Sequence, residues 1–296
     1  MALEDTAPDR TTRWPRFASQ AEYQAALEAD QSLYAARWQW GQWLAATCET
    51  PGRYGGHCRL CERETDFLFN PGPRGEVNLR EELSCSQCAL NARVRVVLHL
   101  LKRYALPGGP ARVYLTEQTT HLYKFVRERW PEVVGSEYFD DSLRQRLAHY
   151  LKHLVSEREL LRHEDVTALR FDDRALDVII SCDVLEHVPD YRQALSEFAR
   201  VLKPGGRLLM TVPFMDQSAD TKVRARLRGD GSIEHLEEPE YHGDPVDPNG
   251  VLAFYNFGWD LLDDVRSAGF SEACWILPWA PDEGLFSGLW TLEAVR

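Results

Sequence analysis

No apolar run in this 296-residue sequence approaches the ~20 residues needed to span a bilayer, which argues against an integral membrane protein. Positive charge is also short: 34 Lys and Arg stand against 46 Asp and Glu, a formal net charge of −12. Proteins that grip nucleic-acid backbones usually present a basic face, so nucleic acid is not the expected partner. Residues 1–16 lack the apolar stretch of a secretory signal, and none is expected. The chain has no internal repeat and no low-complexity tract. Its 44 % hydrophobic and 27 % charged residues are those of an ordinary globular protein. At ~150 residues per domain, the length allows one large domain or two smaller ones.

Four of the seven cysteines form two Cys-x-x-Cys pairs, Cys58/Cys61 and Cys85/Cys88, with 23 residues between them. Two short loops that each offer two thiolates suit one tetrahedral zinc ion. Four thiolates close the coordination sphere, so the expected role is structural. Free thiols or redox pairs are the alternative, and His57, a nearby competitor as ligand, is expected to stand outside the ligand set. Such a site fits a reducing cytoplasm.

Ser19-Gln20-Ala21-Glu22 has the form of a capping box and predicts a helix to about Thr47. Trp38, Trp40 and Trp43 on that helix either pack inward or wall a substrate. Val94, Val97, Leu98 and Leu101 share one face of a helix predicted over 91–104. The chain then alternates. Strands are predicted at 111–116, 133–137, 176–182 and 207–213, and helices near 119–130, 142–154 and 190–202. The last helix is amphipathic through Tyr191, Leu195, Phe198 and Val201. Lys203-Pro-Gly-Gly206 reads as a turn. Alternation of this kind implies a mostly parallel sheet with helices on both faces.

The stretch from Phe171 to Asp190, with Asp-Val-Leu-Glu-His at 183–187, is followed by Leu202-Lys-Pro-Gly-Gly-Arg-Leu-Leu-Met-Thr-Val-Pro213. It closely resembles the second half of class I S-adenosylmethionine-dependent methyltransferases. The resemblance implies an α/β, Rossmann-like sheet of seven strands whose last strand is antiparallel, with 273–278 and 289–295 as the final two. The implied organisation is an arm and helix over 1–50, a zinc module over 51–90 and a methyltransferase domain over 91–296, with a lid-like insertion at about 214–256. Over roughly residues 55–270 the chain is also similar to a bacterial subgroup with an N-terminal four-Cys module. Asn91-Ala-Arg93-Val-Arg95, Gly135-Ser-Glu137-Tyr138, Pro239 to Pro245 and Phe257-Gly-Trp-Asp260 carry that similarity.

The resemblance implies S-adenosylmethionine as cofactor and suggests where it is held. Glu117 matches the acid that ends the first strand, with Gln118 beside it. The glycines of that family's loop are absent, although glycine lets a backbone approach a ligand closely. Glu137 matches the acid that accepts ribose hydroxyls, with Tyr138 next to it. Asp165 and Val166 match the adenine end, and Cys182 lines the pocket near the sulfonium. Arg95, or Arg93, is a candidate partner for the cofactor carboxylate.

Methyl transfer to a hydroxyl or amine needs alignment first and then removal of a proton. His187, His242 and Asp183 are the candidate catalytic residues, with His235 and Asp244 as further options. Arg224 and Arg226 in the insertion are possible anion binders. The expected activity is O-methylation of a small molecule or a saccharide. An RNA or protein methyltransferase guided by the zinc module is a second reading, although Glu62, Glu64, Asp66, Glu76, Glu81 and Glu82 make that module acidic. A scaffold without cofactor affinity is a third. The missing Gly-x-Gly-x-x-Gly argues against a dehydrogenase.

Overall fold

The computed structural model describes residues 9–49, 51–70, 77–105, 111–138, 161–243 and 250–296. The helix predicted at 142–154, and Asp244, lie outside them. In chain order the sheet-forming strands are β1 (Arg16–Phe17), β2 (Gly52–Cys58), β3 (Arg63–Phe69), β4 (Leu83–Cys85), β5 (Val113–Leu115), β6 (Val134–Gly135), β7 (Leu176–Cys182) and β8 (Leu202–Thr211). Six short strands follow: β9 (Lys222–Val223), β10 (Ala225–Leu227), β11 (Ile233–His235), β12 (Tyr241–His242), β13 (Val251–Leu252) and β14 (Tyr255–Asn256). The last two are β15 (Glu272–Ile276) and β16 (Thr291–Val295). The helices are α1 (Gln20–Ala29), α2 (Gln31–Thr47), α3 (Ala92–Ala105), α4 (His121–Arg129), α5 (Tyr191–Val201) and α6 (Leu261–Ser267).

Seven strands form one sheet in the order β1-β15-β16-β8-β7-β5-β6. β5 is parallel to both β6 and β7, with Tyr114 opposite Val134 and Ile179. The final strand is antiparallel to β8: Arg296 N donates to Gly206 O at 2.9 Å, and Gly205 N donates to Arg296 O at 2.8 Å. The α/β class, the seven strands and the antiparallel last strand agree with expectation, but the membership differs. The seventh strand is the N-terminal Arg16–Phe17, and just before Asp165 the chain makes a single parallel bridge, Glu137 to His163.

The chain divides into two compact units. One comprises residues 1–107, 209–211 and 273–293. Here Ser19 caps α1 by accepting from Glu22 N at 3.2 Å, as the capping box requires. The predicted single helix breaks at Asp30, whose φ of −142° is not helical. Short polar side chains such as Asp compete with helical backbone bonds, which makes this a natural breaking point. Trp40 is buried, and its ring lies 4.9 Å from Phe286 and 6.3 Å from Tyr54. Trp38 is 57 % exposed and Trp43 is 37 % exposed, so only the middle tryptophan packs inward. All four apolar residues expected on one face of α3 are buried. That helix lies in the first unit.

The second unit comprises residues 108–208, 212–272 and 294–296. β7 covers the predicted 176–182, and α5 buries Tyr191, Leu195, Phe198 and Val201. Asp190 caps α5 by accepting from Gln193 N at 3.1 Å. Lys203 to Gly206, read as a turn, instead forms the start of β8, because the chain end pairs with it. The insertion folds as three antiparallel pairs: β9 with β14, β10 with β11 and β12 with β13. No helix among the described residues is long and apolar enough to cross a membrane.

Candidate functional site

The ends of the parallel strands bring four acidic positions to one edge of the second unit. Glu117 follows β5, Glu137 follows β6, Asp165 follows the bridge at His163, and Asp183 follows β7. In open α/β sheets this carboxyl edge is where ligands bind. Glu137 Oε1 accepts from Gln118 N at 2.7 Å, Thr119 N at 2.7 Å and Thr119 Oγ1 at 2.8 Å. The glycine-free loop is therefore held by the carboxylate of the neighbouring strand. The buried Gln118 side chain accepts from Arg162 N at 2.8 Å and ties the loop to the segment before Asp165.

Glycine does appear at this edge, one strand away from the expected place. A Cβ on Gly135 would lie 2.7 Å from Glu117 O and 2.5 Å from the Tyr123 ring. Gly135 thus lets the β5 loop approach β6. Asp165 Oδ1 accepts from Thr167 N at 2.8 Å and Thr167 Oγ1 at 2.7 Å, which fixes a tight turn. Val166 and Cys182 are buried beside these acids in sequence. Tyr138 is 65 % exposed, with its ring 5.5 Å from that of His163.

Asp183 adopts a left-handed φ of 51°, a conformation Asp tolerates better than most residues. The chain turns sharply there into a short 3-10 turn, Leu185–His187. His187 Nδ1 donates to Leu252 O at 2.9 Å, and Phe254 N donates to Glu186 O at 2.8 Å. The same segment carries β13, which pairs His242 with Val251. The hairpin therefore brings His242 to His187, with ring centroids 5.0 Å apart. Between them lies Glu186, fully buried, with Oε1 3.4 Å from His242 Nδ1 and 3.7 Å from His187 Nε2. The adjacent Glu186 carboxylate raises the His242 pKa above the usual imidazole value, against the opposing effect of burial.

Glu186 was not singled out by the sequence reading. Its signal is an acid inside the apolar run Val184-Leu185-x-x-Val188, where solvent would not be expected to reach it. His235 is exposed on β11 and stands apart from this cluster. Arg224 is engaged within the insertion: it donates to Asn256 Oδ1 at 2.9 Å and to Glu238 O at 2.7 Å, and it pairs with Glu240 at 3.2 Å.

In the first unit, Arg95 has partners of its own. It is 4 % exposed, donates to Glu283 O and to Gly284 O (2.9 Å), and lies over the Phe67 ring at 4.2 Å. A buried guanidinium needs such acceptors, and the 283–284 carbonyls supply them. Arg93 forks onto Glu81 at 2.8 and 3.1 Å. His57 pairs with Glu64 at 3.1 Å and is not part of the cysteine cluster.

The cysteine cluster itself is assembled by β2, β3 and β4. The sulfurs of Cys58, Cys61, Cys85 and Cys88 lie within 4.8 Å of one another, and Cys61 Sγ is 3.9 Å from Cys85 Sγ. A tetrahedral ion with Zn–S near 2.3 Å places sulfurs about 3.8 Å apart. The residue after each pair, Glu62 and Ala89, takes a left-handed φ of 54° and 56°. The two loops therefore turn in the same way around the four sulfurs. Burial pushes the Cys61 thiol up to about 12, whereas hydrogen bonds from Cys58 and Cys88 pull Cys85 down. The four sulfurs could hold one metal ion.

Residues 116–210 match the family model described as a methyltransferase domain. The chain is 29 % identical to the sterol 24-C-methyltransferase of Aspergillus fumigatus, over 58 % of this chain and 41 % of that one. It is 33 % identical to a probable S-adenosylmethionine-dependent methyltransferase of Mycolicibacterium smegmatis, over 27 % of this chain and 29 % of the relative. Among solved structures it is similar to a Burkholderia thailandensis 1,6-didemethyltoxoflavin-N1-methyltransferase, with 18 % identity, 69 % and 78 % of the two chains covered and a TM-score of 0.43. The chain thus spans less than half the length of either of these two curated relatives. The matched segment runs from the end of β5 to within β8 and includes every acidic position of the strand-end edge. Over residues 116–210, then, this chain is similar to a methyltransferase domain.

Proposed function

We propose that this protein is an S-adenosylmethionine-dependent methyltransferase that methylates a hydroxyl oxygen of a small molecule or saccharide. The observation that carries the reading is the row of acids at successive strand ends, inside the segment matched as a methyltransferase domain. In this reading Glu137, with Tyr138 beside it, faces the ribose hydroxyls. Asp165 and Val166 hold the adenine end, while Glu117, Gln118 and Cys182 line the amino-acid and sulfonium end. The donor set fits the group: carboxylates suit hydroxyl and amino donors, and buried Val166 and Cys182 suit apolar faces. When bound, S-adenosylmethionine supplies an electrophilic methyl group on a sulfonium. The chain's own task is to fix the acceptor in line and to ease loss of its proton. The cluster at Glu186, His187 and His242 stands immediately after β7 and takes that second role, with Asp183 setting the turn that presents it. The four cysteines hold a structural zinc ion that organises β2 to β4.

The test is transfer of labelled methyl to a panel of hydroxyl acceptors, sugars and sugar nucleotides, each beside its O-capped analogue. Turnover that disappears on capping is expected. Turnover restricted to amines, RNA or protein would refute the oxygen reading.

A further inference from the structure

We infer that Glu186, His187 and His242 form a binding site for a divalent transition-metal cation, separate from the cysteine cluster. Their ligating atoms lie within 4.8 Å of one another. The hydrogen bonds around the two imidazoles decide what those atoms are. His187 Nδ1 donates to the carbonyl of Leu252 at 2.9 Å, which leaves the Nε2 lone pair toward Glu186 Oε1, 3.7 Å away. His242 Nε2 lies 3.1 Å from Glu240 Oε1, where its N–H donates, which leaves Nδ1 toward the same Glu186 oxygen at 3.4 Å. With both imidazoles neutral, two imine nitrogens and a carboxylate oxygen face one another. All three are then acceptors, and they repel unless a metal cation or a proton lies among them.

Glu186 makes the point independently. Its side chain is 0 % exposed, and among the described residues neither carboxylate oxygen has a hydrogen-bond partner. A buried carboxylate in that state costs several kcal/mol unless a charge is supplied. Two ligands about 2.1 Å from one ion at a tetrahedral angle sit about 3.4 Å apart, close to the separations here. The outer partners also fit: a backbone carbonyl fixes one imidazole and a carboxylate the other, as around metal-ligating histidines generally. Glu240 is itself held 3.2 Å from Arg224. Two histidines and one carboxylate leave coordination positions open, and such a set suits Mn²⁺, Fe²⁺, Co²⁺ or Zn²⁺ rather than Ca²⁺.

The consequence for the acceptor rests on the proposed methyltransferase reading. A hydroxyl oxygen entering an open position on the cation becomes more acidic. Its O–H bond breaks with the proton passing to solvent water, so neither ligating histidine has to act as the base. The favoured acceptor is then a hydroxyl that can ligate a metal, above all one of a vicinal pair.

The test is titration of the full chain, loaded with one equivalent of zinc for its cysteine cluster and freed of excess zinc, with Mn²⁺ followed by electron paramagnetic resonance. Mn²⁺ prefers oxygen and nitrogen to thiolate. One Mn²⁺ per chain is expected. Glu186→Gln and His242→Ala should each abolish saturation, and Glu240→Gln should weaken binding roughly ten- to a hundredfold. Circular dichroism of each variant separates loss of the site from loss of the fold. No saturation at millimolar Mn²⁺ or Co²⁺ in folded protein would overturn the inference, as would equal binding by His242→Ala. Such a result would assign the cluster to a protonated His242 paired with Glu186. S-adenosylhomocysteine binding is measured on the same samples. Cofactor binding without Mn²⁺ removes only the cation site, and Mn²⁺ binding without cofactor removes only the methyltransferase reading.

Discussion

Replacement of Glu137 by alanine should loosen the loop after β5 before it does anything else. One carboxylate oxygen accepts from two backbone amides and one hydroxyl, at 2.7, 2.7 and 2.8 Å. A hydrogen bond to an ionised acceptor contributes about 1.5–3 kcal/mol. Three that share one oxygen do not add fully, and the half-buried side chain lets water replace part of the loss. A total near ~3 kcal/mol follows for Glu137→Ala. Glu137→Gln keeps an acceptor oxygen and should cost about 1 kcal/mol. Urea unfolding reads the difference: at a slope of about 2–3 kcal/mol per molar, the alanine midpoint falls by ~1 M. Hydrogen exchange gives the local readout, because the Gln118 and Thr119 amides should lose protection in the alanine variant alone. A loss within ~0.5 kcal/mol and unchanged exchange at both amides would refute the claim that this carboxylate holds the loop.

Cys85→Ser, or a strong chelator, should remove one zinc per chain and unfold β2 to β4, and full retained stability would show that the cluster is not structural. Trp40→Ala should cost ~3–5 kcal/mol in urea unfolding, since the ring is buried against Phe286 and Tyr54, and a loss under ~1 kcal/mol would contradict that packing. Stability should also depend on pH through His99. Burial, reinforced by Arg59, Arg103 and Lys102, holds its pKa down at about 4 against 6.5. The unfolded chain then takes up a proton near pH 6.5 while the folded chain does not until about pH 4, so stability declines as pH falls through that window. Melting curves of the protein and of His99→Gln should diverge between those limits, and parallel curves would rule His99 out.

The parts of the fold that are legible in the sequence are those written in local periodicity. β7 is built on the apolar run Val178-Ile-Ile180 and occupies 176–182 as expected. α5 carries a polar cap and a 3.6-residue apolar stripe, and it too lies where the pattern puts it. Features decided by distant partners were not legible. Lys203 to Gly206 looks like a turn until Arg296 pairs with it. Arg95 looks like an available cation until the 283–284 carbonyls arrive beside it. The same contrast runs through the site. The four cysteines declare themselves by spacing, and the strand-end acids by their order along an alternating pattern. Glu186 declares nothing until the hairpin at 241–252 closes His242 over it, 55 residues from His187. Gly135 makes room for the glycine-free loop against the neighbouring strand, a relation that only the parallel register of β5 and β6 creates.

Calorimetric titration of the zinc-replete protein with S-adenosylhomocysteine tests the cofactor site most directly, beside Glu137→Ala and Asp165→Ala. The expected result is one site of micromolar affinity, weakened at least tenfold in each variant, roughly 1.4 kcal/mol or more. Absence of binding at millimolar ligand, in protein shown to be folded, would contradict it.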